Sequence, residues 1–459
     1  MIDLSFLSGK RIGVLGLGKT GLSSARALRD NGAEIFVWDD NQASRDAAAS
    51  EGMNIANLVE MDLASLDFIL WSPGIPHYGE KEHPLAPKAK ALGIPLVCDI
   101  DILARATNND ILGVTGTNGK STTTALITHT LSQFRPAQAG GNIGEPVLSL
   151  PPMGEDGVYV LELSSYQLEL SPNLKPKGAI LLNVTPDHLA RHGDMATYIG
   201  AKEKIFASIQ ATERKPVAVI AIDSEPAAAI AERLKGEGNW SVVTVSAKNK
   251  ADIRIENGKM YDGEEMVMDL SLHPVFRGSH NHENAACAYG LIRQVYGYAP
   301  ADIVKAMASF EGLPHRQYLV RNINGVSYIN DSKATNVEAV ANALACMKNI
   351  YWILGGQPKT GGLSGLENYM DRIKHAFLIG EASEEFAKFL TLSDIPYTLC
   401  ETLENAVPAA HKLAQDNRGQ PGGAPTVLLS PACASWDQFK SFEHRGDVFT
   451  TLVQALPEE

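Results

Sequence analysis

Gly116-Thr117-Asn118-Gly119-Lys120-Ser121-Thr122 sets glycines, one amine and several hydroxyls at the spacing of a phosphate-binding loop. Glycines let successive backbone N–H groups turn inward onto phosphate oxygens, and the start of the following helix adds its partial positive charge. Lys120 is then placed to pair with the outer phosphates, and the Ser121 hydroxyl to hold a magnesium ion. The upstream glycine is Gly116 and not position 114, where the strict pattern has it. The apolar run 111–114 before the loop and the helical sequence after it supply the strand–loop–helix setting that ATP binding needs.

Two more segments end apolar runs on groups that do chemistry. Val158-Tyr159-Val160-Leu161-Glu162 finishes on a carboxylate, where phosphate-loop folds place a magnesium ligand. A Glu at the end of a buried strand is costly without a partner. The next run, 179–184, leads into Asp187, His188 and His192, and such crowding after a strand marks a functional site. Lys202 and Lys204 share a helical stretch, and nothing in their spacing chooses between them.

A second glycine loop, Gly16-x-Gly18-x-x-Gly21, matches the dinucleotide fingerprint, with Asp39 ending the next strand where a ribose-binding acid would sit. Alone it fits three readings: an NAD enzyme, a tight strand-to-helix turn, or a site for another diphosphate such as a nucleotide-sugar.

The elements that must position these groups alternate strand with helix. Strands are expected at Arg11–Leu15, Glu34–Trp38, Phe68–Trp71 and 95–98, then at 111–114, 158–163, 179–184 and 217–222. A last series falls at Val326–Asn330, 351–354, 375–379 and Thr426–Leu429, and 242–275 reads as a small antiparallel excursion. Such alternation implies mainly parallel sheets with ligands beyond the carboxyl ends of the strands. At 459 residues the chain exceeds one compact core. The restarts give three domains, 1–98, 99–312 and 313–459. The class is α/β, with a Rossmann-like N-terminal domain, a central P-loop ATPase-like domain and a Rossmann-like C-terminal domain.

The net charge of −13 argues against a nucleic-acid partner. Cys98, Cys287, Cys346, Cys400 and Cys433 are scattered, odd in number and without a C-x-x-C pair, which fits a reducing cytoplasm. No basic leader and no apolar run of membrane-spanning length is present, so a cytoplasmic protein without membrane insertion is expected.

The phosphate loop resembles that of the Mur ligase family. So do Gly141-Asn142-Ile143-Gly144, the segment 161–168, Asp187-His188-Leu189 and His280-Asn281-x-x-Asn284. The likeness continues through Gly312-Leu313-Pro314-His315-Arg316, the segment 330–336 and the segment 430–439. It implies an ATP-dependent ligase, a monomer, that joins D-glutamate to UDP-N-acetylmuramoyl-L-alanine with ATP, two Mg²⁺ ions and no NAD. Under it the N-terminal glycine loop takes the uridine diphosphate, through Gly18, Lys19, Thr20, Asp39, Asp40 and Ser72, with Asn142 and His188 also on that substrate. ATP falls to residues 116–122, including Lys120 and Ser121, with Asn281, Asn284, Arg316 and Asp331. Ser121, Glu162, His188 and a carbamylated Lys202 become the metal ligands, and Lys120, Glu162, His188 and Lys202 the catalytic set. Lys333, Thr335, Lys359, Ser435 and Phe442 would recognise D-glutamate. Ala190, Tyr318 and the pair Asp40-Asn41 depart from the family pattern. Rivals that stay open are an NAD-dependent dehydrogenase, a folylpolyglutamate synthase-like enzyme and an ATP switch without catalysis.

Overall fold

The computed structural model describes residues 2–207, 214–276, 278–359 and 361–458. Among them are three sheets, and the chain divides into two compact units: Met1–Leu272 with Asn281–Phe310, and His273–His280 with Glu311–Glu459.

The first unit holds two sheets. β1 (Arg11–Leu15), β2 (Glu34–Trp38), β3 (Phe68–Trp71) and β4 (Leu96–Val97) form an all-parallel sheet in the order β2-β1-β3-β4. β1 lies inside the sheet, so the glycine loop after it is flanked by the ends of β2 and β3, which deliver Asp39 and Ser72.

The larger sheet has the order β13-β12-β11-β10-β9-β8-β5-β7-β6. Its strands are β5 (Asp110–Thr115), β6 (Ala137–Gly141), β7 (Val158–Glu162), β8 (Gly178–Leu181), β9 (Val217–Ala221), β10 (Ser241–Ser246), β11 (Ile253–Glu256), β12 (Lys259–Asp262) and β13 (Glu265–Asp269). From β6 across to β11 every adjacent pair is parallel, with β5 between β7 and β8. The antiparallel excursion is narrower than expected. β10 pairs parallel with β9, and only β11, β12 and β13 form antiparallel pairs. Strand order reverses around β5, the kind of switch point where parallel sheets open a crevice beyond their carboxyl ends.

The second unit is built on β14 (Tyr318–Ile323), β15 (Val326–Asn330), β16 (Ile350–Gly355), β17 (Ile373–Ile379), β18 (Tyr397–Glu401) and β19 (Thr426–Leu429), in the order β14-β15-β19-β16-β17-β18. Only β14 is antiparallel to its neighbour. Side chains alternate along β16: Ile350, Trp352 and Leu354 enter one core cluster, Tyr351 and Ile353 the other. Both faces of the sheet are therefore covered, as buried parallel sheets require.

β6, β14 and β18 lie outside the strands read from sequence. β6 is Ala-Gln-Ala-Gly-Gly, with no β-branched residue, and β14 and β18 are half-exposed edge strands. The helix after the first glycine loop runs Lys19–Asp30. No helix among the described residues is long and apolar enough to cross a membrane.

Candidate functional site

β5 ends in a loop that turns at Gly116 (φ +154°) and Gly119 (φ +86°) into the helix Lys120–Leu131. A side chain at Gly119 would run into the Asn284 amide, and one at Gly116 would press on Leu182 at 3.0 Å. Both glycines are thus required by backbone conformation and by close neighbours.

The loop is clamped by the residue that follows β8. Asn183 Oδ1 accepts from the N–H groups of Thr117 (3.1 Å) and Asn118 (2.8 Å), and Asn183 Nδ2 donates to the Asn118 carbonyl at 3.1 Å. The Thr117 hydroxyl lies 3.1 Å from both the Thr185 carbonyl and the Tyr198 hydroxyl. Lys120 Nζ folds back onto the carbonyls of Gly116 (3.0 Å) and Thr117 (2.8 Å). Ser121 is buried at the start of the helix, with Thr122 beside it.

On the other flank, β7 pairs Glu162 with Val114 of β5. Glu162 is buried; Oε1 accepts from Asn142 Nδ2 at 3.0 Å, and Oε2 is enclosed with no hydrogen-bond partner among the described residues. Lys202, 1% exposed, donates from Nζ to the Gly116 carbonyl at 2.7 Å and stands over the Tyr198 ring at 4.6 Å. Burial, helped by nearby Lys120, drives its amine well below the usual lysine range. The spacing does not distinguish Lys202 from Lys204; in the fold it is Lys202 that is buried against the loop.

His188 takes a left-handed backbone (φ +54°) ahead of the short helix Leu189–His192. Its Nε2 lies 3.3 Å from Asp187, and burial, with Lys120 and Lys202 adding, lowers its pKa against the pull of Asp187. His192 corrects the expectation drawn from crowding. It is buried, with Nδ1 2.9 Å from the Tyr78 hydroxyl and Nε2 2.9 Å from Ser165 Oγ, and burial pushes its pKa down to about 4. Both ring nitrogens are taken up in packing, so the proximity of His192 to His188 in sequence does not make it a ligand.

Among the described residues no group of three or more His, Cys, Asp or Glu could hold a metal. Of Ser121, Glu162, His188 and Lys202, only Glu162 and His188 are of those types, so such a site depends on the serine and on a modified lysine.

In the N-terminal sheet, Asp39 accepts from the N–H of Leu17 (2.7 Å) and of Asn41 (2.8 Å), tying the glycine loop to the turn after β2. Gly21 is required because a side chain there would collide with the Gly16 carbonyl. Gly18 and Lys19 lie exposed at the helix start beside Thr20, and Lys19 pairs with Glu145 at 3.3 Å. Asp40 accepts from Trp38 Nε1 at 3.2 Å, and Ser72 stands against Gly16.

In the second unit, three adjacent parallel strands present their carboxyl ends: Asp331, Lys333 and Thr335 follow β15, Ser435 follows β19, and Lys359 lies exposed after β16. Asp331 accepts from Ser430 Oγ (2.8 Å) and Gln317 N (3.1 Å), and burial, only partly offset by these bonds and by Arg316, pushes its carboxyl up to about 7. Lys333 Nζ sits 3.9 Å over the Phe442 ring. Beneath them lies Arg445, fully buried, donating to the Ser332 hydroxyl (3.0 Å), the Ser332 carbonyl (2.9 Å) and the Cys433 carbonyl (3.1 Å). Asn281 and Asn284 belong to the first unit and Arg316 and Asp331 to the second.

Asn183, Tyr198 and Arg445 are missing from the residues picked out by sequence. Asn183 carried one usable signal, its place near the end of the apolar run 179–184 that leads into the Asp187–His188 loop; the others are legible only from their neighbours in space.

Residues 10–98 match the family description "Mur ligase MurD-like, N-terminal domain" and residues 114–292 "Mur ligase middle domain". The chain is 48% identical over its full length to the UDP-N-acetylmuramoylalanine–D-glutamate ligase of Paramagnetospirillum magneticum, covering 99% of it. It is also 48% identical to that of Rhodospirillum rubrum, covering 99% of this chain and 97% of the relative. The fold matches the UDP-N-acetylmuramate–alanine ligase of Thermotoga maritima (TM-score 0.58, 18% identity, 97% and 99% of the two chains). It also matches the MurF ligase of the same organism in complex with ADP (TM-score 0.55, 18% identity, 99% and 97%). From its N-terminal glycine loop to its C-terminal sheet, this chain belongs to the Mur ligase family.

Proposed function

We propose that the protein is an ATP-dependent ligase that joins D-glutamate to the carboxylate of UDP-N-acetylmuramoyl-L-alanine by an amide bond, in peptidoglycan precursor synthesis. Full-length identity of 48% to ligases named for that activity carries the assignment. Residues 1–98 are assigned to the UDP-substrate, 99–312 to ATP and 313–459 to the amino acid.

A carboxylate is a poor acyl donor because its leaving group would be oxide. In the reaction we assign, a carboxylate oxygen attacks the γ-phosphorus of ATP, the bond to ADP breaks, and an acyl phosphate forms. The amine of D-glutamate then attacks the acyl carbon, phosphate leaves with the C–O electron pair, and the new amide loses its extra proton. The loop amides and Lys120 orient the triphosphate and stabilise its charge. To follow the phosphates, the Lys120 amine would leave the Gly116 and Thr117 carbonyls.

The residues fit Mg²⁺. The enclosed, unpartnered Oε2 of Glu162 is an acceptor that a cation would satisfy, and the depressed pKa of His188 leaves its imidazole neutral. Ser121, Glu162, His188 and Lys202 would hold the metal, which when bound neutralises charge on the phosphoryl oxygens. Lys202 as an ammonium would repel a cation; burial lowers its pKa well below the usual lysine range and so favours the neutral amine, the form whose nitrogen attacks CO₂ to give a carbamate and a proton. Two ions would then share these donors.

Gly18, Lys19, Thr20, Asp39, Asp40 and Ser72, with Asn142 and His188, are assigned to the UDP-substrate. Asn281, Asn284, Arg316 and Asp331 complete the ATP set, and Lys333, Thr335, Lys359, Ser435 and Phe442 take D-glutamate, whose carboxylates suit two lysines. The deciding experiment is a ligation assay over a panel of amino acids. Phosphate release should require both UDP-N-acetylmuramoyl-L-alanine and D-glutamate; equal turnover with L-glutamate, or a requirement for NAD, would overturn the proposal.

A further inference from the structure

Arg191, in the short helix Leu189–His192, stands three residues after His188 and carries a cation that no assignment above uses. One of its terminal nitrogens donates to the Ile75 carbonyl (3.3 Å) and lies 3.2 Å from His77 Nδ1, both in the segment after β3. Its Nε and its other terminal nitrogen are enclosed with no hydrogen-bond partner among the described residues. The guanidinium lies instead over two rings, 5.2 Å from the centre of Tyr78 and 5.3 Å from that of Tyr166, whose faces attract a cation.

Tyr78 supplies the other half of this contact. Its hydroxyl has one proton, which goes to Glu169 Oε1 at 2.7 Å. The same oxygen then accepts from His192 Nδ1 (2.9 Å), and His192 Nε2 accepts from Ser165 Oγ (2.9 Å), so one tautomer of a neutral histidine serves both bonds. On one side the network ends at the glycine loop, because Ile75 and Ser72 fill the space against Gly16. On the other it ends at His188, whose ring lies 5.3 Å from that of Tyr166. The two sheets of this unit are joined elsewhere as well, by Cys98 N to the Leu170 carbonyl (2.9 Å), by Asn173 N to Asp101 (2.7 Å) and by Ser23 to Ser149. Those bonds hold the helices Asp99–Ala106 and Lys19–Asp30 and involve neither residues 75–78 nor residues 187–192.

We propose that Arg191 is a positioning residue that, with Tyr78, fixes the loop after β3 to the loop after β8 and so sets the span between the two ends of the UDP-substrate site. The inference rests on the assignment of the glycine loop and Ser72 to the uridine diphosphate and of His188 to the same substrate. A ligand held at both ends gains from its second contact only when the two sites are kept at the distance it spans. Arg191 and Tyr78 keep that distance; they do not contact the ligand.

Titration calorimetry on the intact protein with two probes, UDP and UDP-N-acetylmuramoyl-L-alanine, separates the ends from the span. Arg191→Ala should bind UDP within about twofold of wild type and the whole substrate about tenfold more weakly, inside the range over which contact networks modulate coupling. Tyr78→Phe, which keeps the ring and loses the hydroxyl bonds, should show the same split at a smaller size. Because both changes cut one link, the double variant should lose no more than about twofold beyond Arg191→Ala, and additive losses would overturn the inference. So would whole-substrate affinity that is unchanged in Arg191→Ala, or a parallel loss for UDP, which would mark general damage to the fold. A loss in Arg191→Ala that Tyr78→Phe does not share would make Arg191 a direct ligand and equally overturns it. The underlying assignment fails separately, if the wild type binds no UDP.

Discussion

Burying an ionisable group is expensive, and around the phosphate loop the chain does so with a carboxylate and an amine. Glu162 has one oxygen satisfied by Asn142 and one without a hydrogen-bond partner among the described residues; Lys202 has its amine on a carbonyl and its pKa driven down by burial. Glu162→Gln should leave melting unchanged or slightly raised while kcat falls by about 10²-fold, as for loss of a charge that acts on the developing phosphoryl charge. A kcat within a few-fold of wild type would remove Glu162 from the metal set. Lys202→Ala should be inactive and partly rescued by short carboxylates such as formate or acetate, which can replace a carbamate but not an amine. Rescue by methylamine and not by acetate would count against carbamylation. Asp331 brings a pH effect whose sign is fixed. Its folded carboxyl titrates at about 7 against an unfolded value near 3.8, so the folded state binds the proton more tightly between those values. Its contribution is fully present below about pH 4 and is lost as pH rises to about 7. Asp331→Asn should therefore gain in melting temperature relative to wild type over that window, and parallel melting curves of the two proteins would refute the assignment.

A phosphate loop is only as good as the strands beside it, and here β7 and β8 hold it from both flanks. Asn183, directly after β8, makes three hydrogen bonds to the loop backbone at Thr117 and Asn118. Asn183→Ala should keep the fold, as read by circular dichroism, and raise the KM for ATP by about tenfold, since each lost bond is worth roughly 1 kcal/mol and water replaces part of it. An unchanged KM would mean that the glycines alone set the loop. The contrast with sequence lies at this scale. β1, β2, β3, β15 and β19 were legible to the residue because each is a short apolar run bounded by turn residues. β6 was not, because Ala-Gln-Ala-Gly-Gly carries no propensity and exists by pairing with β7. Gly116, Lys120 and Glu162 stood out because their pattern is local: a glycine loop and its lysine between a strand and a helix, and a carboxylate that ends a strand. Asn183, Tyr198 and Arg445 act through partners 65 or more residues away or through carbonyls, which no window of sequence displays. His192 was over-read for the same reason. Four residues from His188 in sequence, it is committed to Tyr78 and Ser165 in space.

Across the whole molecule the catalytic set and the residues assigned to D-glutamate fall in different units, while Arg316 and Asp331 of the second unit are assigned to ATP. Lys120, Glu162, His188 and Lys202 lie in the first compact unit, and Lys333, Thr335, Lys359, Ser435 and Phe442 in the second. If the acyl phosphate forms before the amine arrives, substitutions in the two units must separate the half-reactions. Incubated with ATP and UDP-N-acetylmuramoyl-L-alanine but no D-glutamate, the wild type should form an acyl phosphate that hydroxylamine traps as a hydroxamate. Lys333→Ala should still yield the hydroxamate while its KM for D-glutamate rises by about tenfold or more, the cost of one charge-assisted bond to a carboxylate. Lys120→Ala should yield none, because the phosphoryl donor is no longer held. A direct attack of D-glutamate on an unactivated carboxylate predicts the opposite: no hydroxamate from any of the three proteins. Equal loss of hydroxamate in the Lys120 and Lys333 variants would mean instead that the second unit takes part in phosphoryl transfer. The division of labour between the units would then have to be redrawn around Arg316 and Asp331.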